Sequence, residues 1–130
     1  MQTFGRYLVG ALAAASLAGP AFAQAPAATP TTRILAVGAI VPGADVRQVL
    51  AILPSEARAT TELYLAGKID QWYSQQDKRG VVFILNVTDL KTAQDMLEAL
   101  PLGQAHLMKF ELTPLGPLAP LRTLVASPAK

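Results

Sequence analysis

Apolar and polar positions change period several times along this chain, and each change marks an element. Arg33 to Val41 (RILAVGAIV) is rich in branched apolar residues and stops at Pro42-Gly43, a turn signal, so it predicts a strand. Val46, Val49, Leu50 and Leu53 then recur at helical spacing. Pro54 interrupts that pattern, because its ring lacks the amide hydrogen and clashes with the preceding turn. The helix is therefore expected in two pieces. Ser55 would cap the second, Ala59, Leu63 and Ala66 would line its inner stripe with Thr60 and Tyr64 beside them, and Gly67 would stop it.

Ile69 to Gln75 (IDQWYSQ) carries two aromatics and a β-branched residue, Gln76 to Gly80 is polar, and Val81 to Val87 (VVFILNV) is strongly apolar. Together they predict a β-hairpin with a long loop. Thr88 or Asp89 can cap a second helix with Leu90, Ala93, Met96, Leu97 and Leu100 inside and Lys91, Gln94, Asp95 and Glu98 in water, ended by Pro101. His106 to Leu112 reads as the last strand, followed by an extended Pro-Leu stretch from Pro114 to Leu121. The order β-α-β-β-α-β defines an α+β, ferredoxin-like fold with a four-stranded antiparallel sheet.

Two helices cover only one face of such a sheet, and the other face normally shows alternating polar residues. Here it does not. Val81, Phe83, Leu85 and Val87 point one way and Val82 and Ile84 the other, and Arg33 to Val41 is apolar on both sides. At roughly 25 cal/mol per Å² of apolar surface, a whole sheet face left in water forfeits on the order of 10 kcal/mol, as much as a small domain has. The pattern therefore predicts a homodimer with sheets face to face, a dimeric α/β barrel; the alternatives are a higher oligomer and a monomer whose second face is closed by the Pro-Leu arm.

The chain's ends add a compartment to this picture. Arg6, the apolar run Tyr7 to Leu17 and Ala21-Phe22-Ala23 fit a secretory signal peptide cleaved after Ala23. The run is shorter than the roughly 20 residues a bilayer span needs, so no stable membrane insertion is expected after cleavage. Residues 1–23 are thus read as signal peptide, 24–32 as an Ala/Pro/Thr spacer, 33–114 as one folded domain and 115–130 as a Pro/Leu-rich arm, in a periplasmic or secreted protein. Removing 23 of 130 residues, Arg6 among them, lowers the formal charge from +2 to +1, which offers nucleic acid nothing to bind. The absence of cysteine excludes disulfides, thiolate chemistry and a lipoprotein anchor.

Tyr64 to Tyr73 (YLAGKIDQWY), the strand Gly80 to Val87 (GVVFILNV) and the run Leu100-Pro101-Leu102 leading to Phe110-Glu111-Leu112-Thr113-Pro114-Leu115 resemble, in this order, the muconolactone isomerase-like group of dimeric α/β barrels. The likeness spans most of Arg33 to Leu118, and its most specific element is Leu-Pro-Leu before the last strand. It implies the βαββαβ fold, face-to-face pairing and a pocket between sheet and helices that takes a small organic acid or lactone, with no cofactor. Two segments depart from the group: Asp70-Gln71 stand where those isomerases carry Arg-His, and Gly103-Gln104-Ala105 replace an aromatic-proline-aromatic stretch. The resemblance therefore implies the fold more strongly than the isomerase reaction.

Within the fold, His106 is the one histidine and the first place to seek proton transfer. At the mouth of a strand a lone histidine is more often an exposed or hydrogen-bonded structural residue. Trp72 and Tyr73 point to opposite faces, so only one of them can line a pocket while the other packs beneath the helices or at the dimer seam, and the commoner reading makes both of them core. Asn86, polar in an apolar run, needs a hydrogen-bond partner, whether a ligand or a neighbouring backbone group. Trp72, Tyr73, Asn86 and His106 are thus the candidate ligand-binding residues. Lys109 and Glu111 share a face of the last strand as a surface pair or an acid-base couple. No metal-ligand spacing, phosphate loop or nucleophile elbow is present. Two functions remain open: a lactone or acid isomerase-like enzyme, and a non-catalytic periplasmic binding or assembly module.

Overall fold

The computed structural model describes residues 28–118; residues 1–23, read above as a signal peptide, residues 24–27 of the expected spacer and the arm beyond Leu118 lie outside the described residues. The elements are β1 (Arg33–Ile40), α1 (Val46–Leu65), β2 (Ile69–Ser74), β3 (Gly80–Leu85), α2 (Leu90–Glu98), α3 (Pro101–Gln104) and β4 (Met108–Leu115). The strands form one sheet in the order β2-β3-β1-β4, with every neighbouring pair antiparallel. This is the α+β, ferredoxin-like arrangement.

The pleat sorts the two central strands. Ile34, Ala36 and Gly38 of β1 lie opposite Leu85, Phe83 and Val81 of β3, so all six share one face, and α1 and α2 close over it with Ala59, Leu63, Ala93, Met96 and Leu97. A smaller cluster of Leu102, Leu107 and Met108 fills the end of the sheet near Ile40, against Val49 and Ile52 of α1. Gly38 is required by close approach: a Cβ there would stand 2.6 Å from Phe110 Cε1 and 2.9 Å from Val81 Cγ2.

The other face of the sheet carries Leu35, Val37, Val82 and Ile84 on the central strands, half-buried only by one another, with no layer over them among the described residues. Polar side chains on this face come from Arg33 at the start of β1 and from the edge strands: Gln71 and Tyr73 on β2, Lys109, Glu111 and Thr113 on β4. The sequence reading expects this face to be apolar; the structure confines the apolar centre to the two middle strands and gives it a polar margin.

Helix α1 does not break. It runs for 20 residues with Pro54 inside it, and Ser55, expected as a cap, instead donates its hydroxyl hydrogen to the Ile52 carbonyl at 2.8 Å. An interior proline costs a helix about 3 kcal/mol, chiefly by removing the bond to the carbonyl four residues back. Here that carbonyl belongs to Leu50, and Leu50 and Pro54 are both exposed, so water can serve it. Val49 and Ile52 before the proline pack on one cluster and Ala59 and Leu63 after it on the other, which holds the halves in one phase. The true N-cap is Asp45, which accepts from Arg47 N at 2.9 Å. At the other end Gly67, at φ 72°, lets Lys68 N reach the Leu63 carbonyl at 2.9 Å.

Three further boundaries differ from the sequence reading. Helix α2, capped by Asp89, stops at Glu98, and Pro101 opens α3 rather than ending its predecessor, sitting at the first helical position where a missing N–H costs nothing. Strand β4 starts at Met108 instead of His106 and continues through Pro114 and Leu115, which the sequence assigns to the Pro-Leu stretch. An edge strand tolerates a proline whose nitrogen faces outward, and it is Leu115 that turns its carbonyl to Thr32 N, at 2.7 Å. Finally, a bulge between Ile69 and Gln71 makes Asp70 an extra residue, and its carboxylate pairs with the Arg33 guanidinium. Among the described residues no helix is long and apolar enough to cross a membrane.

Candidate functional site

The flank of α1 stands off the sheet over β2 and β3 and leaves a cleft of about 380 Å³, with Leu53, Glu56 and Thr60 above and Trp72, Ser74 and Phe83 below. Trp72 lies opposite Phe83, hence on the helix side, and its indole stacks on the Tyr64 ring with centroids 4.9 Å apart and planes 4° from parallel. Of the two adjacent aromatics, Trp72 is therefore the one facing the pocket. Tyr73 borders the cleft as well, but it belongs to the outer face, where its hydroxyl donates to Gln71 Oε1 at 2.9 Å.

Glu56 is the carboxyl of this cleft and was not apparent from the sequence. Only 8 % of its surface is exposed, and Oε2 accepts a hydrogen bond from Leu102 N at 2.8 Å. Burial raises its pKa above the ordinary carboxyl value, and the Leu102 amide opposes the rise in part. Thr60, one turn on, is buried beside it. Breaking the helix at Pro54 resets the phase and hides Glu56. In a continuous helix Val49, Ile52, Glu56, Ala59 and Leu63 fall on one stripe, and an acidic residue on an apolar stripe is the signal that finds it.

His106 lies elsewhere. It follows α3 in the left-handed region at φ 55°, is exposed, and borders a second cavity of about 450 Å³ between α2, α3 and β4, together with Gln94, Glu98 and Lys109. The Gln94 amide donates to Glu98 there. Asn86 borders neither cavity: its side-chain amide donates to the Gly67 carbonyl at 3.0 Å and its backbone N to Lys68 O at 2.9 Å, fastening the end of β3 to the turn after α1. Lys109 and Glu111 share the outer face but form no ion pair among the described residues. Trp72 and His106 are thus brought to different cavities, and Asn86 to a backbone tie.

No group of three or more His, Asp or Glu among the described residues is placed to hold a metal ion. What the cleft offers is a shielded carboxyl among apolar walls and hydroxyls. A carboxyl with a raised pKa keeps its proton closer to neutrality, where it can donate a hydrogen bond to a carbonyl oxygen or exchange a proton with it. The chain matches no protein-family model and no curated protein sequence.

Proposed function

We propose that the protein acts as an exported homodimer, paired through its outer sheet faces as a dimeric α/β barrel, that binds a small organic acid or lactone in the cleft beneath α1. The observation that carries this reading is Glu56, a nearly buried carboxyl in the wall of an apolar cleft that also has aromatic walls. Sites for small ligands are mostly apolar with a few placed polar groups, and Glu56, Thr60 and Ser74 answer that description. The resemblance to muconolactone isomerase-like barrels supports the same ligand class, and the uncovered apolar centre of the sheet supports the pairing. Export rests on the N-terminal pattern of Arg6, the apolar run and Ala21-Phe22-Ala23.

Trp72 is the sole tryptophan and stands at the cleft, so its emission reports occupancy. Titration of the mature protein with γ-valerolactone is expected to change that emission saturably, with affinity falling as pH rises through the Glu56 pKa, and Glu56→Gln is expected to abolish the pH dependence. No emission change at millimolar lactone rejects the reading.

A non-catalytic binding module is the second reading. It is favoured by the separation of Trp72, Asn86 and His106, which leaves Glu56 without a second acid-base group from that set. Turnover that vanishes in Glu56→Gln and survives His106→Ala would make the protein an enzyme centred on Glu56; binding without turnover leaves the module.

A further inference from the structure

Beside the cleft at Glu56 lies an apolar groove of about 400 Å³ under the first half of α1, reaching Ile40 and Arg79; the two spaces share Leu53, Val81, Leu102 and Met108 as walls and together make up a trough beneath α1. From Arg79 to Phe83 along the strand is four residues, or about 13 Å at ~3.3 Å each. Along this trough α1 leaves Val46, Leu50 and Leu53 in water, Leu50 with 59 % of its surface exposed, although the helix has an apolar cluster within reach. Large apolar side chains in a contiguous row beside a groove mark a surface that something covers.

The two ends of the trough differ chemically. Arg79, on the loop after β2, stands at one mouth and forms no ion pair among the described residues. At the other end Glu56, Thr60 and Ser74 present one carboxyl and two hydroxyls, with no cation among the residues lining that end. A ligand carboxylate is repelled by an ionised Glu56 and attracted by Arg79, so it has one favourable orientation. A neutral hydroxyl suits the far end whichever way Glu56 is protonated, because it can donate to the carboxylate or accept from the acid, whereas a carbonyl only accepts and needs the protonated acid.

We infer that the ligand is an elongated monocarboxylic acid bearing a second, neutral oxygen group, with its carboxylate on Arg79, its chain between α1 and the sheet, and its distal hydroxyl or carbonyl at Glu56. An extended chain of ~1.5 Å bonds at tetrahedral angles advances about 1.3 Å per bond, so about 13 Å spans roughly ten bonds, the reach from the carboxylate carbon to the terminal oxygen of a ten-carbon hydroxy acid. This rests on the ligand-binding reading of the Glu56 cleft and narrows it to hydroxy or oxo acids of medium length.

The test is a titration of Trp72 emission with 10-hydroxydecanoate, decanoate, 1,10-decanediol and γ-valerolactone, on the mature wild-type protein and on Arg79→Gln, with Arg58→Gln as a charge-matched control outside the trough. The hydroxy acid is expected to bind about tenfold more tightly than decanoate, a difference of about 1.4 kcal/mol. Arg79→Gln is expected to weaken both acids about tenfold and leave the diol unchanged, and Arg58→Gln to change nothing. Equal affinities for decanoate and its hydroxy derivative, or acid binding indifferent to Arg79→Gln, would overturn the inference. If γ-valerolactone binds and the ten-carbon acids do not, the inference fails while the simpler cleft reading stands. Silence from all four ligands removes both.

Discussion

The Glu56 carboxylate and the Leu102 amide, 46 positions apart in sequence, are joined by a 2.8 Å hydrogen bond in which the side chain of one helix caps the start of another. Helix α3 has no side-chain cap of its own, since Leu100 holds that position. The bond fastens α1 to the segment that feeds β4, and it places a carboxyl where a functional cleft needs one. Structure and proposed function therefore meet in a single side chain, and substitutions can separate them.

Glu56→Ala is expected to destabilise the fold by about 1–3 kcal/mol, because it leaves the buried Leu102 amide without a partner. Glu56→Gln keeps an acceptor oxygen at the same place and should cost much less. Urea unfolding of the two variants measures the difference; equal losses would show that packing, not the cap, is what Glu56 contributes.

The charge of Glu56 is a separate matter from its hydrogen bond. Burial raises its pKa above 4.5, so the native state holds this proton more tightly than the unfolded chain does. A group shifted in that direction contributes stability fully below the unfolded pKa, and the contribution is lost as pH rises through the native one. Glu56→Gln, neutral throughout, should therefore gain on the wild type as pH climbs from 4.5 toward neutrality. Unfolding curves at several pH values check the slope; a constant difference between the two proteins would mean that Glu56 is ionised at no net cost.

Glu56 also shows where sequence reasoning stops. The strand around Phe83, the cap at Asp89 and the stripe Ala93, Met96, Leu97 are legible because their local preferences agree with the final packing. At Pro54 the two disagree: the local cost of an interior proline argues for a break, and packing on both sides of it overrides the cost. Everything downstream of that decision, including the burial of Glu56 and the walls that the two spaces beneath α1 share, is invisible until the helix is seen whole. Trp72 is an intermediate case. Strand alternation separates it from Tyr73, but only the register with Phe83, set beyond a bulge at Asp70, decides which of them faces α1.

Gly38 is expected to accept no side chain. An added methyl would lie within 3 Å of the Phe110 ring and of Val81 Cγ2, both part of the packed layer between sheet and helices. Overpacking of this kind costs about 1–3 kcal/mol. Gly38→Ala should lower the thermal midpoint, and a Gly38→Ala/Phe110→Leu double variant should recover part of the loss. Failure of the second change to help would locate the strain elsewhere.

His106 occupies a position that prefers glycine. At φ 55° directly after α3, a side chain costs about 1–2 kcal/mol relative to a right-handed or extended residue. Glycine there should be more stable than alanine by about 1 kcal/mol, after allowing for its greater freedom when unfolded. Comparison of His106→Gly with His106→Ala in thermal unfolding tests this. The pair also isolates the imidazole's chemistry, because any turnover that needs it is lost equally from both, whereas a conformational role favours the glycine variant.

The proposed pairing makes the sharpest demand on the outer face of the sheet. Leu35, Val37, Val82 and Ile84 form its apolar centre, and each, already half-buried, would contribute about 1 kcal/mol more if a second copy completed its burial. A lysine at Val82 would set one charge on each side of a face-to-face interface, desolvated and near its like. The same lysine on a monomer would rest in water and cost little, since Val82 faces away from the helices. Sedimentation of the mature protein is therefore expected to show a dimer that Val82→Lys converts to a folded monomer, while Glu111→Lys, at the polar margin, leaves the dimer in place. A wild type that sediments as a folded monomer at high concentration would remove the barrel, and the ligand reading would then have to stand on the cleft at Glu56 alone.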